Sequence, residues 1–168
     1  MGVGASPTRR TLATRVTAKN RAAPFSGSGT FAGVTDLRPV PPEATTTRTC
    51  SLWVDGPFLR ARFLPAARVE LADAVENLEV SARLTGGEPH LAIIDLRGLH
   101  SQSAEARALF AGPEASRVSR AVALVVGSPL TRMIGNFFLG FNKPKEPTRL
   151  CASEREAEEW LQSLPPRP

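Results

Sequence analysis

The chain has 168 residues, 42% of them hydrophobic, and a formal net charge of +5. These values are typical of one globular domain with an additional segment. Seven Lys/Arg and two Asp/Glu fall in residues 1–48, which leaves +5 there, whereas 14 bases and 14 acids cancel from residue 49 onward. Because the part expected to fold carries no net charge, the composition argues against a nucleic-acid-binding face.

Neither the apolar runs of the sequence nor its cysteine spacing indicates an oxidising compartment or a membrane. No apolar run approaches the ~18–20 residues of a membrane span, and no apolar core of a secretory signal is present. Cys50 and Cys151 lie far apart without CxxC or Cys/His spacing, so we predict two buried, reduced thiols. We expect a cytoplasmic protein without a metal or cofactor.

Residues 1–47 are rich in Arg, Thr, Ala, Ser, Gly and Pro, with few large apolar side chains. Such a segment cannot bury enough surface to offset the entropy lost on ordering. We therefore expect a disordered basic tail and linker at 1–47 and a folded domain at 48–165. The Arg- and Ser-rich start resembles a transit peptide, and Met1-Gly2 with Ser6 fits the myristoylation pattern. A solvated tail, or a start codon assigned too far upstream, is the simpler interpretation.

A hairpin is predicted at the start of the domain. Residues 50–54 read as a strand, Asp55-Gly56-Pro57 as a turn, and residues 58–63 as a second, half-exposed strand with alternating arginines.

A helix is predicted from Glu70 to a stop at Thr85-Gly86-Gly87. Its apolar residues fall within one arc at ~100° per residue, and its acids lie outside that arc, as on a solvated face. The apolar set is Leu71, Ala74, Val75, Leu78 and Ala82, and the acids are Asp73, Glu76 and Glu79.

The central element is an uninterrupted apolar strand, residues 91–96, followed by a turn and a helix from Ser103 to Gly112. Continuous apolar strands are typical of sheets covered on both faces. One face of the helix carries only methyl groups, Ala104, Ala108 and Ala111. That face either lies in solvent or lets another chain pack closely against it, so the sequence leaves a homodimer as an alternative.

Residues 121–126 form a second buried strand, and Ser128-Pro129 provides a cap and a first helical residue. The helix predicted over residues 130–141 places five large apolar residues on one face, with Phe138 beside them. The five are Leu130, Met133, Ile134, Phe137 and Phe141.

The last elements are a short strand at 148–152 and a helix behind the capping box Ser153–Glu156. The complete order is β-β-α-β-α-β-α-β-α. It predicts an α/β fold whose mixed sheet combines an N-terminal hairpin with parallel strands. The strands that end near Asp95 and Gly127 should be parallel neighbours.

With this order in place, the chain resembles a STAS-type domain, the fold of bacterial anti-sigma factor antagonists, and is still more similar to small bacterial proteins labelled STAS/SEC14-like. The resemblance covers about residues 49–164. It is carried by Leu84-Thr85-Gly86-Gly87, Ile94-Asp95-Leu96, residues 121–129, residues 135–144 and Glu158-Glu159-Trp160-Leu161.

The resemblance implies a regulatory serine at the start of the helix after the central strand. In anti-sigma factor antagonists an Asp-Ser pair opens that helix, and a kinase phosphorylates the serine, which breaks the fit to the partner. Here the region reads His100-Ser101-Gln102-Ser103-Ala104, without the Asp-Ser pair. Ser101 and Ser103 lie within a few residues of the expected position, and helix capping is their competing role.

Two functional hypotheses follow. The first is a non-enzymatic regulatory or adaptor module that binds a protein partner, such as a kinase or anti-sigma-like regulator, through Asp95, His100, Ser101 and Ser103. The alternative is a small-molecule or lipid-headgroup binder that uses Ser128, Asn136 and Phe138. A pocket lined by Phe138 and closed from solvent favours the ligand, and a flat surface over residues 101–108 favours the partner. No set of acid, base and nucleophile supports an enzyme.

Overall fold

The computed structural model describes residues 1–2 and 37–165. The strands in this part of the chain are β1 Thr45–Thr46, β2 Cys50–Asp55, β3 Phe58–Phe63, β4 Ala67–Val69, β5 His90–Asp95, β6 Leu99–Gln102, β7 Ser119–Val125 and β8 Thr148–Cys151. The helices are α1 Leu71–Leu84, α2 Ala104–Phe110, α3 Pro113–Val118, α4 Pro129–Phe137 and α5 Glu154–Gln162, and a π-helical segment, Phe138–Asn142, continues α4.

One mixed sheet of six strands, in the order β1-β2-β3-β5-β7-β8, organises the domain. β1, β2 and β3 are antiparallel, whereas β3, β5, β7 and β8 run parallel. The predicted mixed α/β sheet and the parallel pairing of the two central strands are confirmed. The turn predicted after β5 contains β6, which pairs with β4 in a separate two-stranded parallel sheet.

The two faces of the sheet are covered unequally. Residues of α1, α2 and α4 pack on one face against Leu52, Phe63 and Leu124. On the other face α5 packs Ala157 and Leu161 against β5, β7 and β8. Ala157 and Leu161 therefore form the core-facing side of the last helix.

The predicted inner face of α1 is wrong in part. Leu71 and Val75 are exposed, whereas Asp73, Asn77 and Ser81 are buried. Asn77 accepts a hydrogen bond of 2.7 Å from the Thr47 hydroxyl and donates one of 3.2 Å to Thr49. Polar residues face inward here because they bind the turn between β1 and β2.

The apolar face predicted for α4 is not the side of the helix that meets the sheet. Thr131 and Gly135 are the buried residues of this helix, and most of the large apolar side chains point outward. A Cβ at Gly135 would lie 2.6 Å from the Leu150 Cδ2 atom, so the missing side chain lets α4 approach β8 closely. Small size, and not hydrophobicity, selects the face of α4 that meets the sheet.

Strand β3 is more buried than its arginines suggest. Arg60 is only 2% exposed, although the sequence predicted a half-exposed strand. Its guanidinium lies under α5 and pairs with Glu154. The alternating charge in this strand therefore belongs to a buried ion pair and not to a solvent-exposed face.

Residues 37–47, which the sequence assigned to the tail, make specific contacts. Arg38 pairs with Asp55 at 3.0 Å and with Glu158 at 3.1 Å, and Thr45–Thr46 adds a strand to β2. The rest of the expected tail, apart from residues 1–2, lies outside the described residues.

Candidate functional site

The α4 apolar face, defined here as Leu130, Met133, Phe137 and Phe141, is exposed to solvent. Met133 is 62% and Phe141 78% exposed. These residues recur at helical spacing, so they form one stripe along α4 and the π-helical segment. A contiguous exposed patch of large apolar residues is unusual on a monomeric protein surface.

Aromatic contacts hold the C-terminal half of this face in place. The rings of Phe137 and Phe141 stack with their centroids 4.6 Å apart and their planes 13° from parallel. The Arg107 guanidinium, from α2, lies 5.0 Å from the Phe137 centroid, within the range of a cation–π contact. Arg107 also donates to the Gln102 carbonyl. One side chain therefore links the α4 apolar face to the residue between Ser101 and Ser103.

Ser103 is the N-cap of α2. Its hydroxyl accepts a 3.1 Å hydrogen bond from the Ala106 N–H, and its own N–H donates to the Val69 carbonyl at 2.9 Å. Ser101 is half-buried in β6, and His100 is exposed beside it. These three predicted residues lie together at the start of α2, next to Arg107.

Asp95 does not join them. It ends β5 with its side chain on the α5 side of the sheet, where Arg62 donates to it at 3.0 Å and Arg97 at 2.8 Å. Glu154 receives Arg60 at 3.1 Å and Arg62 at 2.9 Å in the same cluster. Burial raises the pKa of Glu154, while Arg62 and Arg60 oppose that shift. Asp95 is therefore part of the ion-pair cluster beneath α5 and not of the group at the start of α2.

The three residues proposed for a ligand are separated. Ser128 caps α4 by accepting the Thr131 N–H at 3.2 Å, and Asn136 is exposed on the outer side of the helix. Phe138 is half-buried and lines an internal cavity of about 100 Å³ between the sheet and the helices.

Sequence reasoning missed two features of this region. It did not identify Arg107, whose position over Phe137 depends on the packing of α2 against the π-helical segment. It also did not identify Glu146, whose side chain is buried although it follows two lysines in a loop. Residues 143–147 contain the prolines Pro144 and Pro147, and these were the only signal of a constrained loop.

The electrostatic surroundings of the α4 apolar face are basic. The segment after the helix carries Lys143 and Lys145 on the surface, and the acid that follows them, Glu146, is buried. Lys143 adopts a left-handed conformation, φ 47°, as it ends the π-helical segment. Among residues 37–165, no three His, Cys, Asp or Glu side chains are placed to hold a metal ion.

The architecture is that of a STAS-like domain. A solved structure with the same arrangement comes from Shewanella loihica PV-4, an uncharacterised protein of the DUF3478 family described as having a SpoIIAA-like fold. It aligns with a TM-score of 0.50 and 16% identity over 70% of this chain and 98% of that chain.

The chain belongs to the DUF7793 family, a domain of unknown function whose family model matches residues 52–165. No curated protein matches the chain. No helix in the described part of the molecule combines the length and the apolar character needed to cross a bilayer.

Proposed function

We propose that this domain is a non-enzymatic adaptor module that binds a protein partner on the α4 apolar face. The observation that carries the proposal is the exposure of Leu130, Met133, Phe137 and Phe141 in one stripe. Burying such a patch against a partner removes apolar area from water, at roughly 25 cal/mol per Å². The same residues contribute little to folding because they already face solvent.

The charges beside the patch define the chemistry of the partner. Lys143 and Lys145 are exposed at one end, and Arg107 flanks Phe137. Complementary potentials favour a partner segment that presents apolar side chains flanked by Asp or Glu. We therefore commit to an acidic, apolar protein segment as the occupant.

The serines beside Arg107 supply a means of regulation. A phosphate on Ser103 would sit at the N-terminus of α2, where the helix dipole favours negative charge. It would add almost two negative charges next to Arg107 and repel an acidic partner. Phosphorylation of Ser103, or of Ser101 beside it, then releases the partner while the domain stays folded.

The positions of the titratable residues support a non-enzymatic role. Asp95, the acid nearest in sequence to the two serines, is paired with arginines on the α5 side of the sheet. The Ser103 hydroxyl is engaged as a helix cap. Of the four residues predicted at this site, only His100 is exposed.

Site-specific photo-crosslinking in the native host tests the proposal. A benzophenone amino acid replaces Phe141 in one variant and exposed Glu159 of α5 in the control. We expect a protein adduct from position 141 and none from position 159. The crosslinked peptide, sequenced by mass spectrometry, should contain apolar residues flanked by Asp or Glu. Met133→Glu should reduce the adduct by about tenfold or more, because it places a charge against both the apolar and the acidic part of the partner.

Three results would contradict the proposal. An adduct to a second copy of this chain would assign the α4 apolar face to a homodimer. An adduct to lipid, together with binding to vesicles of anionic phospholipid, would assign it to a membrane surface. Equal adducts from positions 141 and 159 would mean that the patch has no selective partner.

A further inference from the structure

The cavity behind Phe138 has mainly apolar walls. It lies between the sheet and the helices α1, α3 and α4 and is about 100 Å³ in volume. Its apolar walls include Leu52, Phe63, Val122, Leu124, Ile134 and Phe138. Native cores seldom leave space larger than a water molecule, so a void of this size is a departure from ordinary packing.

The volume limits what can fill it. An apolar cavity of ~150 Å³ holds a molecule of the size of benzene and stays dry when empty. A drug-sized pocket spans ~300–1,000 Å³. The Phe138 cavity has about two thirds of the volume that holds benzene, so it fits a compact molecule smaller than benzene and is too small for a long acyl chain.

A buried carboxylate borders this space. Glu146 lines the cavity and is 8% exposed. Its Oε1 atom is buried without a hydrogen-bond partner among the described residues. The nearby Thr148 hydroxyl donates to the Glu146 main-chain carbonyl at 3.0 Å. A buried oxygen without a hydrogen-bond partner is unfavourable, and more so when it is charged, so a donor placed in the cavity would be strongly favoured.

We propose that this cavity is a binding site for a small apolar molecule that carries one amine or hydroxyl group. The apolar body would occupy the space beside Phe138, and the amine or hydroxyl would donate to Glu146 Oε1. Phe138 and Pro144 are half-buried wall residues, which places the entry at the π-helical end of α4. π-Helical turns are frequent at functional sites. This site is separate from the α4 apolar face, so either proposal can fail without the other.

Three probes that share one four-membered carbon ring and differ in one group test the assignment: cyclobutylamine, cyclobutanol and cyclobutane. Each is titrated into the full-length ¹⁵N-labelled protein at millimolar concentration and followed by the amide shifts of Phe138, Thr148 and Ala115. We expect cyclobutylamine and cyclobutanol to bind about tenfold or more tightly than cyclobutane, because only the first two can donate a hydrogen bond to Glu146.

Two variants separate the carboxylate from the cavity. Glu146→Gln should weaken cyclobutylamine binding by about tenfold while cyclobutane binding stays the same, and Glu114→Gln, at an exposed position on α3, should change neither. Ala115→Leu fills the cavity and should abolish binding of all three probes, with a dispersed spectrum as proof of folding. The proposal is overturned if wild type binds none of the probes, if it binds all three equally, or if Glu146→Gln leaves the affinity for cyclobutylamine unchanged.

Discussion

Arg60 and Glu154 form an ion pair of 3.1 Å between β3 and the start of α5, although they are separated by 94 residues. Their side chains are 2% and 4% exposed. Arg62 and Arg97 also donate to Glu154 and to Asp95, so three arginines and two carboxylates fix the start of α5 over the ends of β3 and β5.

Glu154→Gln should destabilise the domain by about 3 kcal/mol, because it leaves buried arginines with one anion fewer. Urea unfolding followed by far-UV circular dichroism measures the loss. The matched control is Glu159→Gln, which breaks the exposed pair of Arg155 and Glu159 and should change the free energy of unfolding by less than about 0.5 kcal/mol. Equal effects of the two substitutions would show that the buried cluster does not hold α5.

The domain should lose stability in acid partly through Asp73. The Arg48 side chain is hydrogen-bonded to Asp73 and holds the pKa of that carboxyl below its ordinary value. A lowered folded-state pKa gives stability that is complete above the unfolded pKa of ~3.9 and is lost as the pH falls through the folded pKa. The difference in unfolding free energy between wild type and Asp73→Asn should therefore shrink as the pH falls below about 4.

Urea midpoints at pH 6 and pH 3 measure this difference, with Glu76→Gln as the control on the exposed side of α1. If the difference in urea midpoint between wild type and Asp73→Asn is the same at pH 6 and pH 3, the stabilisation does not depend on the charge of Asp73.

Capping and regulation at Ser103 can be separated by substitution. Ser103→Ala removes the oxygen that accepts the Ala106 N–H and should cost about 1 kcal/mol. Ser103→Asp keeps a good N-cap, so its thermal stability should match wild type while the crosslinking yield at position 141 falls. Ser101→Ala, beside it, should change stability by less than about 0.5 kcal/mol. An undiminished yield from Ser103→Asp would remove the proposed switch at this residue.

The two thiols should be unreactive in the native state. Burial raises the pKa of Cys151 to about 12 and also raises that of Cys50. The predicted buried, free thiols are confirmed, and four strand spacings, roughly 19 Å, separate β2 from β8 in the sheet. At pH 8 a thiol-specific dye should label both residues only after unfolding in urea. Rapid labelling of native protein would show that the sheet edges open.

The central strands were predictable because each carries a continuous apolar run bounded by turn residues. Any stable fold of this chain must bury the apolar residues of β5 and β7. Their burial therefore follows from the local composition alone. The start of α2 at Ser103 was predictable for a similar reason, since a serine before a helical segment satisfies a free N–H wherever the helix packs.

The outward face of α4 was not predictable from hydrophobic periodicity. The pattern groups Leu130, Met133 and Phe137 on one side of the helix but does not say which side meets the sheet. That choice depends on the close approach of Gly135 to Leu150, which exists only once β8 is in place. The ion pair of Arg60 and Glu154 was not predicted for the same reason. The sequence around either residue does not indicate that the other will lie beside it in the fold.

The proposed binding surface depends on the exposure of the α4 apolar face, which is tested most directly by the free energy of unfolding of the double variant Met133→Glu, Phe141→Glu, measured in urea beside Leu161→Ala. Leu161 is buried under α5, and its truncation should cost about 2–5 kcal/mol. The double variant should stay within about 0.5 kcal/mol of wild type, since both side chains already face solvent. A loss of about 2 kcal/mol or more in the double variant would place these residues in the core and contradict the account.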